Sequence, residues 1–487
     1  MQLNKKTYKD YNEYPEKVLQ FGEGNFLRCF VDWMFQQLNN KAGFNGSVVV
    51  VQPIDKGMVN MLNEQDGLYT VYLRGLKNGK AESNHEVIDV ISRGINAYED
   101  FNAYLKTAEQ PEMRYVISNT TEAGIAYNEN DKASDTPPGS YPAKLAVWLY
   151  HRYKTFNGEA AKGVHIIPCE LIEKNADSLK RIILQLASEW KYEEGFVNWL
   201  DTACTFNNTL VDRIVPGYPK ERVDEITSEL GYEDKQVVEG EPFHLWVIEA
   251  GEQLQKELPF PSIGLNVLFV KDVTPYRTRK VRILNGAHTT LVPVAYLYGI
   301  DTVRESVEHP VVGKFLKDAI YKEIIPTLDL PKEELEQFAA EVIDRFRNPY
   351  IKHLLMSISL NSWSKFETRV LPSILEYQKR KGSIPQHLAF SLAATIVFYK
   401  GKRGEETIAL NDDAAAMELL KNAWTSYDGS EAGIKAVATK VLGYEKNWKL
   451  NLNNVEGLND AVSKHLFNIE KCGVQKAIEM IEEKVTA

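Results

Sequence analysis

The sequence predicts an α/β domain built on a doubly wound parallel sheet, followed by a mainly helical domain. Short apolar runs alternate with helical patterns in the first part of the chain, and long helical patterns occupy the rest. The length of 487 residues is also more than one ordinary core organises, which favours two or three domains. We expect the boundary near residue 270, with domains at 1–270 and 271–487.

The apolar runs of the first part are typical of strands that are buried on both faces of a parallel sheet. The clearest run is SVVVVQP at Ser47–Pro53, and similar runs occupy Lys17–Gly22, Met113–Asn119, Val164–Glu170 and Leu265–Val273. Helical patterns at 143–156 and 176–190 lie between them and imply right-handed crossovers. The stretch from Gly67 to Ile91 departs from this alternation, and we expect it to form a hairpin at the edge of the sheet.

Beyond about residue 274 the sequence contains long amphipathic patterns and few strand signals. The predicted helices lie at Val303–Ile325, Leu335–Arg345, Pro385–Tyr399 and Gly457–Lys484.

The composition excludes several classes of function. A net charge of −10 argues against nucleic acid or an anionic membrane as the main partner. No apolar run reaches the roughly 20 residues that span a bilayer. Four widely separated cysteines predict a cytoplasmic protein with reduced thiols. Without HExxH or a Cys/His cluster we expect no metal, and the expected partner is a small molecule; a homo-oligomer is left open.

A glycine loop closes the first predicted strand and opens a helix, as in a Rossmann-like dinucleotide-binding domain. Glycines let the backbone approach a pyrophosphate, whose oxygens the free N–H groups of a helix N-terminus bind. Leu27 occupies the place of the third glycine of GxGxxG, so a plain glycine turn is the alternative. The candidate cofactor-binding residues of the loop are Phe21, Gly22, Glu23, Gly24, Asn25, Phe26 and Arg28.

The choice between NAD and NADP usually depends on the end of the second strand. That segment, residues 51 to 56, reads VQPIDK and has no arginine cluster for a 2′-phosphate. Asp55 could accept a hydrogen bond from a ribose hydroxyl, which favours NAD. The alternative is that Asp55 is a surface residue capping the next segment.

The segment Lys280–His288 (KVRILNGAH) carries the candidate catalytic groups. Hydride transfer between a ketone and an alcohol needs a proton donor or acceptor and groups that polarise the carbonyl. On an α-helix, Asn285 would lie about 140° and His288 about 80° from Lys280, so all three share one arc. A solvated lysine and a structural histidine are the alternatives. Ile283 and Leu284 make the segment apolar, and a lysine buried there would lose its charge more easily.

Several motifs together resemble the long-chain polyol (mannitol) dehydrogenase family. KVRILNGAH is similar to that family's K-x4-N-x2-H pattern, and FGEGNFLR to its G-x-G-x-F-x-R pattern. NTLVDRIVP at 208–216 and EPFHLWVIE at 241–249 also resemble family motifs, in the same order. DVTPY precedes the lysine and SKF at 364–366 follows it. The resemblance covers residues 17 to 370.

The resemblance implies roles for individual residues. Lys280 would be the general acid/base, with Asn285 and His288 beside it at the substrate. Asp212 would be an active-site carboxylate and Lys365 a substrate contact. The family also uses an asparagine to polarise the carbonyl; Asn175 is the candidate here, with a helix N-cap as its alternative.

Two features indicate an anionic substrate. The loop FGEGNFLR resembles that of the family members that reduce tagaturonate. Arg277 and Arg279 flank Lys280, and Arg369 follows Lys365; guanidinium groups bind carboxylates, although surface ion pairs are the alternative for each arginine.

The resemblance therefore implies an NAD-dependent enzyme that interconverts D-altronate and D-tagaturonate in hexuronate catabolism. The expected active site is a cleft between the two domains. A fructuronate (mannonate) reductase and a polyol 2-dehydrogenase are the alternatives within the family. A nucleotide-binding regulator without catalysis is the alternative outside enzymes.

Overall fold

The computed structural model describes residues 1–485 except Asn78, Glu122 and Ser426, with the backbone alone for Lys77 and residues 482–485. The chain forms two compact units. Unit 1 contains Met1–Arg74 and Ala81–Val273, and unit 2 contains Gly75–Lys80 and Thr274–Ala487.

The strands lie almost entirely in unit 1. They are β1 (Glu16–Phe21), β2 (Ser47–Gln52), β3 (Tyr69–Lys77), β4 (Lys80–Ile88), β5 (Ile91–Asn96), β6 (Tyr115–Ser118), β7 (His165–Pro168), β8 (Thr205–Phe206), β9 (Thr209–Asp212), β10 (Val238–Gly240), β11 (Leu245–Glu249), β12 (Val267–Val270), β13 (Lys402–Arg403) and β14 (Glu406–Thr407).

The helices of unit 1 are α1 (Asn25–Leu27), α2 (Trp33–Ala42), α3 (Val59–Glu64), α4 (Phe101–Ala108), α5 (Tyr141–Thr155), α6 (Asn175–Glu189), α7 (Glu194–Thr202), α8 (Val223–Leu230) and α9 (Glu252–Glu257).

Those of unit 2 are α10 (Thr274–Arg279), α11 (Gly286–Tyr298), α12 (Val303–Glu308), α13 (Pro310–Asp318), α14 (Lys332–Phe346), α15 (Leu355–Ile358), α16 (Ser362–Arg369), α17 (Leu371–Lys381), α18 (Gln386–Phe398), α19 (Ala414–Thr425), α20 (Glu431–Leu442), α21 (Glu445–Trp448) and α22 (Leu458–Val485).

Short helical segments of other types lie between these elements. Segments of 3₁₀ helix occupy Ala160–Lys162, Lys220–Arg222, Phe260–Ile263, Ile325–Thr327 and Leu452–Asn454. Segments of π-helix occupy Arg28–Asp32, Lys280–Asn285 and Ala319–Ile324. The π-helix is rare and is frequently found at functional sites.

A six-stranded parallel sheet forms the centre of unit 1, in the order β5-β2-β1-β6-β7-β8. Alternate side chains of its strands point to opposite faces, and both faces are buried. Val48 and Val50 belong to the core on one face, while Val49 and Val51 belong to the core on the other. This double burial explains the unbroken valine run of β2. The predicted doubly wound α/β fold, followed by a mainly helical part, is confirmed.

Two details of the predicted sheet are wrong. The segment from Gly67 to Ile91 forms β3 and β4, but these strands belong to a separate sheet in the order β10-β3-β4. β4 is mostly exposed, which does not suit a sheet buried on both faces, and β5 holds the edge next to β2. The run at Leu265–Val273 forms β12 in a mixed sheet with β11 and β9.

The core of unit 2 is built from helices that are buried on all sides. In α18 every residue from His387 to Phe398 is buried, and in α11 every residue from Gly286 to Tyr296. A helix that is apolar all round can be stable only inside a core. The predicted helix at Val303–Ile325 is divided, because Pro310 lacks an N–H and begins α13, where the His309 ring accepts the N–H groups of the first turn.

Among the described residues, no helix has the length and hydropathy needed to cross a bilayer.

Candidate functional site

The glycine loop lies at the carboxyl edge of the parallel sheet, where the strand order reverses. The chain runs outward from β1 through β2 to β5, then crosses to β6 and continues through β7 to β8. Gly22 follows β1 and Asn119 follows β6, so these two residues flank the point of reversal. Open α/β sheets bind ligands in the crevice at such a switch point.

A cavity of about 410 Å³ occupies this position. Three segments line it: the glycine loop after β1, the turn after β2, and the long connection after β6. They include Gly24, Ile54 and Thr120, respectively. This is the size of pocket that holds part of a dinucleotide or a small organic ligand.

Gly22 and Gly24 have different roles in the loop. Gly22 has φ +121°, and a Cβ atom there would lie 2.9 Å from the carbonyl oxygen of Asn119. Only glycine fits both constraints. Gly24 has ordinary backbone angles, and a Cβ atom there would meet nothing within 4 Å. Gly22 therefore shapes the turn, whereas Gly24 leaves open space at the N-terminus of the helical run.

Three other predicted loop residues have side chains that are used inside the fold. Arg28 is buried and donates hydrogen bonds to the carbonyl of Glu23 at 3.1 Å and to the side chain of Asn25 at 2.7 Å. The guanidinium of Arg28 therefore stabilises the conformation of the loop through these hydrogen bonds. Phe21 packs against Tyr141 in the core, and Phe26 stacks on Phe30. These residues support the shape of the loop.

Asp55 and Glu23 differ in their exposure to the cavity. The side chain of Asp55 is exposed, and it does not belong to the cavity lining. Glu23 does line the cavity, and its Oε1 accepts the N–H of Met58 at 3.2 Å. Burial raises the pKa of Glu23, an effect that hydrogen bonds from backbone N–H groups and the charge of Arg28 oppose.

A buried carboxylate that sequence reasoning did not single out lies beside this crevice. Glu170, which follows β7, accepts the hydroxyl of Ser118 at 3.0 Å and both the N–H and the hydroxyl of Thr120 at 2.9 Å. Burial raises its pKa, and these hydrogen bonds lower it. Glu170 thus fixes the end of β6, where Thr120 lines the cavity. The strand ends SNT and PCE carry the signal in the sequence.

Both the nitrogen and the oxygen of the Asn175 amide make hydrogen bonds within the fold. Its nitrogen donates to the carbonyls of Pro168 and Glu170 at 3.0 and 3.1 Å, and its oxygen accepts the N–H of Thr209 at 3.0 Å. The structure does not support the predicted carbonyl-polarising role. The N–H groups of Ala176 and Asp177, in the first turn of α6, donate to Oδ1 of Asn208. A residue distant in sequence therefore caps this helix.

Asp212 lies at the end of β9 and is buried. The neighbouring Arg213 is buried too, and it donates to the carbonyls of Glu241 and Phe243 at 2.9 and 3.2 Å. Arg213 therefore has a structural role that explains the arginine of the NTLVDRIVP motif.

The catalytic candidates of unit 2 lie on a π-helical segment that continues into α11. The N–H of Gly286 bonds to the carbonyl of Val281, five residues earlier, which is the π pattern. The predicted 140° between Lys280 and Asn285 assumed an α-helix and is wrong for this segment. A π turn contains more residues than an α turn, so residues five apart lie closer to one face. Lys280 and Asn285 are both half-buried.

His288 follows one turn later and is buried. Its ring stacks on Phe346 with centroids 4.1 Å apart and meets the ring of His353 edge-on at 5.1 Å. Burial lowers the pKa of His353, which favours a neutral ring at neutral pH. His353 was not identified from the sequence, because its only signal is a lone histidine in a loop.

The predicted substrate residues Lys365 and Arg369 lie four residues apart on α16. A Cβ atom on Gly286 would lie 3.0 Å from the carbonyl oxygen of Arg369, so α16 packs closely against the start of α11. The backbone of α16 therefore lies against the helical run that contains Lys280, Asn285 and His288. Burial lowers the pKa of both Lys365 and Arg369, and for Lys365 the Arg369 charge lowers it further.

The partners of these cations differ. The Lys365 ammonium donates to the carbonyl of Ile358 at 2.9 Å. Within the described part of the chain, the half-buried guanidinium of Arg369 has neither a hydrogen bond nor an ion pair. Arg279, in contrast, is buried in an ion pair with Glu334 and stacks on Phe338. Arg277 is half-buried on α10. Arg369 is therefore the clearest candidate for binding an anion.

No group of three or more His, Cys, Asp or Glu side chains among the described residues is arranged to hold a metal ion.

Comparison with known families decides the class of the protein. The Mannitol dehydrogenase Rossmann domain matches residues 16–262, and the Mannitol dehydrogenase C-terminal domain matches residues 272–470. The chain belongs to the mannitol dehydrogenase family. It is thus an oxidoreductase that acts on CH–OH groups with a dinucleotide cofactor, and the predicted family is confirmed.

Curated relatives match over nearly the whole chain. The altronate oxidoreductase of Bacillus subtilis (strain 168) is 50% identical over 477 residues, 98% of this chain and 97% of the relative. That of Phocaeicola vulgatus is 50% identical over 481 residues, 98% of this chain and 99% of the relative. That of Escherichia coli O1:K1 / APEC is 48% identical over 467 residues, 96% and 97% of the two chains.

Two solved structures share the fold. The substrate-free D-sorbitol dehydrogenase aligns with a TM-score of 0.82 at 21% identity, covering 98% of this chain and all of that chain. The ternary complex of Pseudomonas fluorescens mannitol 2-dehydrogenase with NAD and D-mannitol aligns with a TM-score of 0.66 at 20% identity, covering 99% of this chain and 100% of that chain.

Proposed function

We propose that the protein interconverts D-altronate and D-tagaturonate with NAD(H), and that it serves hexuronate catabolism. The observation that carries the choice of an acid over a polyol is the half-buried guanidinium of Arg369, unpaired among the described residues, beside Lys365. Burying a cation without a partner costs free energy, because the cation loses its contacts with water. A bound anion would offset this cost. The relatives named altronate oxidoreductase, at about 50% identity, support the same substrate.

The crevice of unit 1 has the features that NAD requires. Gly24 leaves room for the pyrophosphate at the N-terminus of a helical run, and Gly22 shapes the turn below it. When bound, NAD(H) supplies or accepts the hydride. The reduction is balanced as tagaturonate, NADH and one proton giving altronate and NAD⁺.

The residues of unit 2 supply the remaining chemistry. In the proposed mechanism Lys280 gives its proton to the carbonyl oxygen of tagaturonate during reduction and takes it back from the hydroxyl of altronate during oxidation. Asn285 and His288 donate hydrogen bonds to that oxygen as its negative charge develops. Lys365 and Arg369 bind the carboxylate, and Arg277 and Asp212 are further substrate contacts in the proposal.

A substrate panel tests this proposal. Purified protein is mixed with NADH and, separately, with D-tagaturonate, D-fructuronate and neutral ketohexoses, and the loss of NADH absorbance is followed. We expect the highest kcat/KM with D-tagaturonate and a lower kcat/KM with NADPH than with NADH. A higher kcat/KM with D-fructuronate would assign the protein to mannonate oxidation instead. NADH binding without turnover of any ketose would favour a regulator.

A further inference from the structure

The carboxylate of Glu23 connects two segments of the cofactor crevice. Glu23 stands between the two glycines of the loop after β1, and its Oε1 accepts the N–H of Met58 at 3.2 Å in the segment after β2. The same side chain lines the cavity together with Pro53 and Ile54. A charged group of the glycine loop is therefore fixed at the end of the second strand.

The segment after β2 is shaped to receive this carboxylate. A Cβ atom on Gly57 would lie 2.2 Å from Oε1 of Glu23 and 2.5 Å from Cδ of Gln52, so the glycine leaves room for both side chains in the positions that they occupy. Gln52 is buried, and its amide donates to the carbonyls of Ile54 and Asp55 at 2.8 and 3.1 Å. The turn is thus held by its backbone, and the Asp55 side chain is left exposed to solvent.

In a doubly wound dinucleotide-binding domain, the adenosine ribose lies at the end of the second strand, next to the pyrophosphate loop. A carboxylate there accepts a hydrogen bond from the 2′-hydroxyl of NAD. The 2′-phosphate of NADP instead carries about −1.5 to −2 charges, as other phosphate monoesters do near neutral pH, and would be repelled. The repulsion is screened less for a half-buried group than for an exposed one.

We propose that Glu23, rather than Asp55, determines the preference for NAD(H) over NADP(H). The inference rests on the proposed function only in requiring that the crevice binds NAD(H). It moves the discriminating carboxylate from the second strand to the glycine loop.

Two matched variants test the assignment. Glu23→Gln and Asp55→Asn each replace one carboxylate by an amide of the same shape. The dissociation constants of NADH and NADPH are measured for both by cofactor fluorescence, without any sugar acid. For Glu23→Gln we expect the ratio Kd(NADPH)/Kd(NADH) to fall at least about tenfold, and for Asp55→Asn to change less than about twofold. The glutamine retains an acceptor for the N–H of Met58, and melting temperatures check the fold.

A third variant moves the carboxylate without removing it. In Gly57→Ala the new methyl group displaces Oε1 of Glu23 and also the side chain of Gln52, so NADH should bind more weakly than in Asp55→Asn, although Asp55 is intact. An unchanged ratio in Glu23→Gln, or an equal fall in Asp55→Asn, would overturn the inference while leaving the proposed function in place. Failure of the wild-type protein to bind NADH would contradict the proposed function and the inference together.

Discussion

Arg369→Gln should separate the recognition of the substrate carboxylate from the rest of catalysis. Hydrogen bonds to a charged group contribute about 1.5–3 kcal/mol, which corresponds to roughly 10- to 150-fold in kcat/KM. We expect a loss of this size with D-tagaturonate. With D-tagatose, in which a hydroxymethyl group replaces the carboxylate, the variant and the wild type should differ by less than about threefold, because no anionic contact is lost. Initial rates of NADH oxidation measure both.

The same substitution should leave the fold intact. The Arg369 guanidinium has no ion-pair partner among the described residues, and burial lowers its pKa, so folding places this cation in a less favourable environment. The melting temperature should therefore be equal to or above that of the wild type. Arg380→Gln is the matched control, since Arg380 is on the next helix and already pairs with Glu376 and Asp329. Equal losses with both sugars, or no loss with the acid, would refute the carboxylate assignment.

Three further predictions concern the lysine, the loop and the sheet. Lys280→Ala should lower kcat by about 10²–10⁴-fold with nearly unchanged NADH affinity, measured by steady-state rates and titration calorimetry; near-full activity would remove it from the mechanism. Gly24→Val should weaken NADH binding at least about tenfold with an unchanged melting temperature, because a Cβ atom there meets nothing in the fold; unchanged calorimetric affinity would make the loop merely structural. Burial raises the pKa of Glu257. Hydrogen bonds from Arg114 and Gln253, together with the charge of Arg114, lower it by more than burial raises it, and the resulting pKa is about 2. The stability from this group is present above its unfolded pKa near 4.5 and is lost as the pH falls towards 2. Glu257→Gln should thus cost about 1–2 kcal/mol at pH 7 and flatten the acid limb of a urea-unfolding series; an unchanged acid limb would contradict the assignment.

The central sheet could be predicted because its sequence pattern has one physical solution. A run such as SVVVV places apolar side chains on both faces, and only a strand covered on both sides buries all of them. The hairpin at 67–91 was located in sequence but not in space. Strand partners depend on which edge is already occupied, and β5 occupies the edge next to β2.

The site was predictable in residue type more than in role. Arg28 belongs to a motif that resembles a family motif, and Asn175 is a candidate that the resemblance implies, but the side chains of both make hydrogen bonds inside the fold. A motif shows that a residue is needed, but only the hydrogen-bond partners distinguish binding a ligand from holding the loop that binds it. His353 and Glu170 gave little signal, since their roles depend on neighbours far away in the sequence.

The net charge of the whole chain makes local cations such as Arg369 necessary for binding a sugar acid. With a net charge of −10, the protein repels anions at long range, so attraction of a sugar acid must come from close contacts. Lys365 lies one turn before Arg369 on the same face of α16, so the two positive charges together attract an anion more strongly at close range than either does alone. An acidic partner would fill the site and compete with the substrate. Leaving the guanidinium without one therefore trades stability for binding, which is why Arg369→Gln is expected to lose activity and not stability.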